Sequence, residues 1–138
     1  MNTRGYGRVG EESAALYLIS HGYHIIEKNV YIGRDEIDII AENDENTVFV
    51  EVKTRRQIPD SETKYGTPAS AVDVTKQNNI IRAVDGYMRD NPAAKPPRID
   101  VIEVFADPAS DIYRVLLIRH HENAVTRRGK FSRAPRRK

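Results

Sequence analysis

The sequence predicts an α/β domain in which a mixed central sheet lies between helices, in the order α-β-β-β-α-β-β. Two helical patterns and five runs of strand-forming residues follow one another along the chain without an internal repeat. A chain of 138 residues with 39% hydrophobic residues is most simply one domain with a single core. Cysteine is absent, so neither disulfides nor thiolate metal sites stabilise this fold.

Two helices are predicted from the spacing of apolar residues. The first runs from Val9 to His21 and ends before Gly22, which stands where a C-cap glycine is expected. The second runs from Ala71 to Met88 and has its apolar side chains on one broad face. Together they are expected to cover the two faces of the sheet, which gives three layers.

Five strands are predicted from alternating polarity and from β-branched and aromatic enrichment. They span His24–Ile32, Glu36–Ala41, Val48–Arg55, Arg98–Phe105 and Tyr113–His120. The polar cluster at 42–46 predicts an antiparallel hairpin between the second and third strands. Residues 56–70 lack periodicity and predict a long loop, which in a compact domain is more often functional than idle.

The charge of the chain is unevenly distributed. Residues 126–138 carry seven basic side chains and no acid; removing these seven from the 22 basic residues leaves 15 against all 20 acids, or −5 for residues 1–125. We therefore divide the chain into a domain at 1–125 and a basic, disordered tail at 126–138. Such a tail is expected either to bind polyanions by counterion release or merely to add solubility.

No membrane association is expected. The chain has no apolar stretch long enough to cross a bilayer, and its first residues lack the apolar segment of a signal peptide. Together with the absence of cysteine, these features favour a cytoplasmic protein.

The predicted hairpin brings carboxylates together. If its turn is centred on Asp44 and Glu45, antiparallel pairing sets Asp38 opposite Glu51, with Cβ atoms roughly 5 Å apart. Strict alternation would place Asp38 on the face opposite Ile37 and Ile39. Two carboxylates at that separation repel each other unless a cation lies between them.

Two interpretations of this hairpin remain open. A hard divalent cation such as Mg²⁺ or Mn²⁺ takes oxygen ligands, and Lys53 would then lie near its bound water and a scissile phosphate. Alternatively, the acids lie on an ordinary solvated strand face, where Glu36 forms a cross-strand pair with Lys53.

The first helix offers further carboxylates. At about 100° per residue, Glu11 and Glu12 project onto the side of the helix that is expected to face the core, which carries Ala15, Leu18 and Ile19. Either glutamate could reach toward the strand acids, or both could simply favour the helix N-terminus electrostatically.

Other polar residues carry less specific signals. The four histidines lack metal-ligand spacing and are predicted to be surface or strand residues: His21, His24, His120 and His121. Asp100 is expected either to pair with Arg98 or Lys76 or to be a solvated charge at a strand end.

Taken in order, the motifs of the chain resemble those of the bacterial YraN-like family over most of residues 5–125. The matching segments are Gly7–Ala14, Asn29, Glu36–Ile40, Val48–Arg55, Gly66, Ala71–Val72, Lys76, Arg98–Val101 and Glu122–Ala124. A local departure is Gly33-Arg34-Asp35-Glu36, where the family usually has glycine directly before the glutamate.

That family looks like a branch of the PD-(D/E)XK superfamily and is similar in layout to archaeal Holliday junction resolvases. The resemblance therefore implies a restriction-endonuclease-like three-layer core. The resemblance favours Glu11 over Glu12 and implies that Glu11, Asp38 and Glu51 ligate a metal, with Lys53 as the catalytic lysine. It implies that Lys76 faces phosphate. The further phosphate contacts expected from the distribution of basic residues are Arg4, Arg8, Arg55, Arg56, Arg127 and Arg128.

The leading hypothesis is therefore a Mg²⁺- or Mn²⁺-dependent endonuclease acting on DNA, with branched recombination or repair intermediates as candidate substrates. The alternative is a non-catalytic nucleic-acid-binding protein that retains the nuclease fold. A homodimer is expected only if both strands of a branched substrate are cut symmetrically.

Overall fold

The computed structural model describes residues 3–59 and 73–127. Its order of elements, α-β-β-β-α-β-β, confirms the predicted fold class. The helices are α1 (Thr3–Ser20) and α2 (Val74–Asp90), and the strands are β1 (His24–Ile32), β2 (Asp35–Glu42), β3 (Thr47–Arg56), β4 (Pro97–Ala106) and β5 (Val115–His121). The predicted loop at 56–70 and the basic tail lie largely outside the described residues, because 60–72 and 128–138 are not included.

The five strands form one sheet in the order β1-β2-β3-β4-β5. Every neighbouring pair is antiparallel except β3 and β4, which are parallel and are connected through α2. The two helices lie on opposite faces, each over its own apolar cluster. The three layers expected from the sequence are therefore confirmed. In the part of the chain that the structure describes, neither helix combines the length and apolar character needed to cross a bilayer.

The end of α1 is fixed by Gly22, as predicted. Gly22 has a φ of +90°, which costs little without a Cβ, and its N–H donates to the carbonyl of Ile19 at 3.1 Å. The N–H of Tyr23 donates to the carbonyl of Leu18 at 3.0 Å, which completes a Schellman motif. The prediction that Ile19 faces the core is wrong, because 53% of this residue is exposed.

Helix boundaries differ from the sequence prediction at both N-termini. Helix α1 begins at Thr3 rather than Val9, and its first turns are held by Tyr6, whose ring centroid lies 4.7 Å from that of Tyr113. Helix α2 begins at Val74 rather than Ala71, because Asp73 is its N-cap and accepts a hydrogen bond from the Lys76 N–H at 2.8 Å.

The register of the β2–β3 hairpin confirms the predicted turn. Ile39 pairs with Val50, and the pairing continues regularly to the turn. Strict alternation on β2 is wrong, however. Ile39 packs in the α1 cluster whereas Ile37 packs in the α2 cluster, so the strand changes its facing around Asp38.

Candidate metal centre

Asp38 lies where β2 separates from β3. The ladder between these strands ends at the pair Ile39 and Val50, one residue before Asp38 on β2. Instead of a backbone carbonyl, the Asp38 side chain accepts the next β3 bond, from the Val52 N–H to Oδ2 at 2.8 Å. The carboxylate is thereby anchored in the opening between the two strands.

Glu51 is held on β3 and is only 8% exposed. Its neighbour Phe49, two residues earlier on the same strand face, belongs to the cluster under α2, so the Glu51 side of β3 faces that helix. There Lys76 Nζ lies 3.8 Å from Glu51 Oε1. Lys53 follows two residues later on the same side of the strand.

The two strand acids lack sufficient compensating charge. Burial raises the pKa of Asp38, opposed by the hydrogen bond from Val52 and the charge of Lys76. Burial, followed by the charge of Asp38, raises the pKa of Glu51 to about 7, against the charges of Lys76 and Lys53. The repulsion expected from the sequence is therefore present, and two lysines only partly offset it.

Glu11 reaches the same region from α1. It is half-buried, whereas Glu12 is exposed, and Asn29 Nδ2 donates to Glu11 Oε1 at 2.7 Å. Burial, then the charges of Asp38 and Glu36, raises the pKa of Glu11 to about 7. A helix carboxylate thus lies within electrostatic range of the strand acids, and the structure favours Glu11 over Glu12.

Two residues that position Glu11 were not assigned this role from the sequence. Asn29 has a φ of +50°, a conformation that asparagine tolerates better than most residues, and its amide fixes the Glu11 carboxylate. Gly10 lets α1 approach β3, because a Cβ at this position would lie 2.1 Å from Thr54 Oγ1. No local pattern reveals either contact, since both depend on distant segments.

The donor set fits a hard divalent cation, although it does not form a finished cage. Within residues 3–59 and 73–127, no three acidic, histidine or cysteine side chains already surround a common point. The available donors are carboxylate oxygens with excess negative charge, which is the chemistry that Mg²⁺ and Mn²⁺ prefer. Glu11, Asp38 and Glu51 are the residues that would hold such an ion.

The predicted phosphate contacts have different surroundings. Arg8 and Arg56 are exposed, and the Arg56 guanidinium lies 5.0 Å from the centroid of the Tyr6 ring. Arg55 Nε donates to Glu103 Oε2 at 2.7 Å, and Arg127 forms an ion pair with Asp85. The Arg4 side chain and Arg128 lie outside the described residues.

A second acidic cluster has a different character. Asp100, fully buried, accepts two hydrogen bonds from Arg98, one from His120 Nε2 at 2.7 Å and one from the Asn123 N–H. The expected pairing with Arg98 is confirmed, whereas the bond from His120 was not predicted. Burial alone would raise the pKa of Asp100, but its hydrogen bonds, led by that of His120, lower it.

The fold and the site together define a three-layer α/β protein with a carboxylate–lysine centre at the opening between two strands. The chain belongs to the uncharacterised protein family UPF0102, the YraN family, whose model matches residues 10–104. It is 36% identical over 124 residues to a UPF0102 protein of Chloroherpeton thalassium, covering 82% of this chain and 92% of the relative. It is 42% identical over 107 residues to one of Symbiobacterium thermophilum, covering 77% and 86%.

Among solved structures, the chain is similar to Pyrococcus furiosus SfsA in complex with Ca²⁺. The identity is 17% and the TM-score is 0.36, over 88% of this chain and 64% of that chain.

Proposed function

We propose that this chain is a Mg²⁺- or Mn²⁺-dependent endonuclease that hydrolyses phosphodiester bonds in DNA. The supporting observation is that Asp38, anchored where β2 leaves β3, and Glu11 on α1 both act electrostatically on Glu51. Burial and the charge of Asp38 raise the pKa of both Glu51 and Glu11, so the metal-free site is destabilised when its acids are ionised and favours a bound cation. Lys53 and Lys76 add the positive charge that a phosphate would need.

Each side chain has a role in this proposal. A divalent cation held by Glu11, Asp38 and Glu51 would help to activate water and neutralise phosphate charge. Lys53 orients or activates the attacking water and stabilises charge on the phosphate oxygens. The water oxygen bonds to phosphorus and the water releases a proton, while the bond from phosphorus to the leaving sugar oxygen breaks and that oxygen takes up a proton.

The decisive experiment is a cleavage assay on nicked, branched and linear DNA with Mg²⁺ or Mn²⁺, and with EDTA as the metal-free control. We expect Asp38→Asn and Glu51→Gln to lose more than about 100-fold in rate. The matched control is Glu42→Gln on the same strand, since Glu42 only pairs loosely with Lys95 at 3.9 Å. No cleavage above the Asp38→Asn background on any substrate would contradict the proposal.

The finer aspects of this function are separate expectations. Preference for branched DNA would indicate recombination or repair intermediates, and RNA of the same sequence tests the choice of nucleic acid. Symmetrical cutting of a branched substrate requires two active sites, so light scattering of the DNA complex should then reveal a homodimer. DNA binding without cleavage would instead favour a non-catalytic nucleic-acid-binding protein.

A further inference from the structure

An open groove lies between the β1–β2 turn and the C-terminal half of α2. Its volume is about 430 Å³. Its lining residues are Ile32, Gly33, Arg34, Asp35, Arg82, Gly86, Arg89 and Asp90. We propose that this groove binds the sugar–phosphate backbone of the nucleic-acid strand that leads into the carboxylate site, an inference that rests on the proposed function.

The groove is connected to the carboxylate site along one side of α2. Successive residues of this side lie three or four positions apart, so they are neighbours on the helix surface. They are Lys76, Asn79, Arg82, Gly86 and Arg89. The helix rises roughly 20 Å from the first to the last of them, or about six nucleotide steps of about 3.4 Å. Lys76 contacts Glu51 at one end, and Arg89 lines the groove at the other.

In the middle of this track, hydrogen bonds hold Arg82 in place and its charge is balanced by Asp35. Arg82 donates to both Asp35 carboxylate oxygens at 2.8 Å, and its Nη2 also donates to Asn79 Oδ1 at 3.1 Å. The bidentate bond from Arg82 lowers the pKa of Asp35, which therefore stays ionised and balances the arginine. Arg82 thus shapes the groove and leaves other residues to supply charge.

Arg34 and Arg89 supply that charge. Both are exposed, and neither has an ion-pair partner within residues 3–59 and 73–127. The residues that line the groove include two acids, Asp35 and Asp90. Because Arg82 balances Asp35, only Asp90 opposes the charges of Arg34 and Arg89. The groove therefore keeps a net positive charge, although the neighbouring carboxylate site is acidic. A positively charged groove is what a bound polyanion would require.

Two glycines shape the walls of the groove. Ile32 pairs with Asp35 across a two-residue turn, and Gly33 takes the positive φ of +65° that such a turn favours in its first position. This turn presents Arg34 at its tip. On α2, a Cβ at Gly86 would lie 3.2 Å from Ile32 Cγ2, so glycine permits close packing there and places no side chain in the groove.

The test compares two double variants that each remove two positive charges. Arg34→Ala with Arg89→Ala empties the groove of its unpaired arginines. Lys28→Ala with Arg114→Ala changes exposed residues outside it. Binding of fluorescent single-stranded and branched DNA is measured by anisotropy in EDTA at several salt concentrations. We expect about tenfold weaker binding for the groove variant and a salt slope smaller by roughly 1.4–1.8.

The control variant should keep the wild-type slope and lose less than about twofold in affinity. Arg34→Lys with Arg89→Lys should restore most of the binding, since the charge is retained. Equal losses in the groove and control variants, an unchanged groove variant, or no measurable wild-type binding would each overturn the proposal. Because the binding assay contains EDTA, its outcomes do not depend on cleavage. A protein that binds DNA through the groove but does not cleave it would contradict the proposed nuclease activity and leave the proposed groove intact.

Discussion

Two pairs of acids in the same sheet, Asp38 with Glu51 and Asp100 with Glu103, differ in the direction of their pKa shifts. Burial raises the pKa of Asp38 and Glu51, and they remain above their ordinary values. Burial acts in the same direction on Asp100 and Glu103, yet hydrogen bonds from arginine and histidine bring their pKa values below the ordinary range. Burial alone therefore does not explain the opposite pKa shifts of the two pairs. The difference comes from the hydrogen-bond donors around each acid.

The comparison indicates which acids are structural and which are available for a ligand. Asp100 accepts four hydrogen bonds, three of them from Arg98 and His120. In the described part of the chain, Asp38 accepts one backbone N–H, and the nearest cation to Glu51 is a lysine 3.8 Å away. The first arrangement is complete without a ligand, whereas the second would gain from a bound cation.

The largest expected effect is a difference in the free energy of unfolding when one acid of each pair is replaced by its amide. Asp100→Asn should destabilise the protein by about 3–5 kcal/mol, because Arg98 is then left buried without its main counter-charge. Asp38→Asn should change the free energy of unfolding by less than about 1 kcal/mol, since it relieves repulsion and its amide oxygen can still accept the Val52 N–H. Urea denaturation in EDTA measures both, and equal losses would contradict the distinction.

A bound metal should stabilise only the acids that lack partners. At a concentration of Mn²⁺ about 100 times its dissociation constant, the wild type should gain about 2.7 kcal/mol in its free energy of unfolding. The gain should be larger at pH 8 than at pH 6, because the cation competes with protons for the carboxylates. It should persist in Glu42→Gln and disappear in Asp38→Asn; an undiminished gain in Asp38→Asn would place the metal elsewhere.

Glu51 should give the free energy of unfolding a pH dependence opposite to the one that a carboxylate with a lowered pKa gives. Its pKa rises from 4.5 to about 7 in the metal-free fold, so between these values the folded protein holds a proton that the unfolded chain has released. Stability is therefore lost as the pH rises from about 4.5 to about 7. Glu51→Gln lacks this loss, so its free energy of unfolding should rise relative to that of the wild type by about 3 kcal/mol between pH 4.5 and pH 8. A difference that stays constant from pH 4.5 to pH 8 would contradict the assignment.

The sequence predicted the features that depend on neighbouring residues. Strand β1 has the predicted bounds, and the register of β2 with β3 follows from the polar turn between two alternating segments. Gly22 ends α1 as predicted, because a C-cap needs only local geometry. The candidate carboxylates on the hairpin were identified by the same local rules, whereas their role as metal ligands remains a prediction.

The features that were missed depend on tertiary contacts. The change in facing of β2 occurs where its ladder with β3 ends, and neither Ile37 nor Ile39 signals this locally. Likewise, Asn29 contacts Glu11 across 18 positions, and His120 contacts Asp100 across 20. Alternating polarity reports burial in a regular strand but not the point at which two strands separate.

The smallest effect concerns the packing of α1, which places Glu11 near the strand acids. Gly10→Ala inserts a methyl group against Thr54. Overpacking should destabilise the fold by about 1–3 kcal/mol, and the higher helix propensity of alanine should offset about 1 kcal/mol of this. We expect a net loss near 1 kcal/mol, with weaker Mn²⁺ binding because the helix carboxylate moves outward. Gly7→Ala is the matched control, since a Cβ there has no atom within 4 Å, and it should stabilise the helix without altering Mn²⁺ binding. If both variants bound Mn²⁺ as tightly as the wild type, Mn²⁺ binding would not depend on the packing of α1 against Thr54. Asp38 and Glu51 would then hold the cation without Glu11.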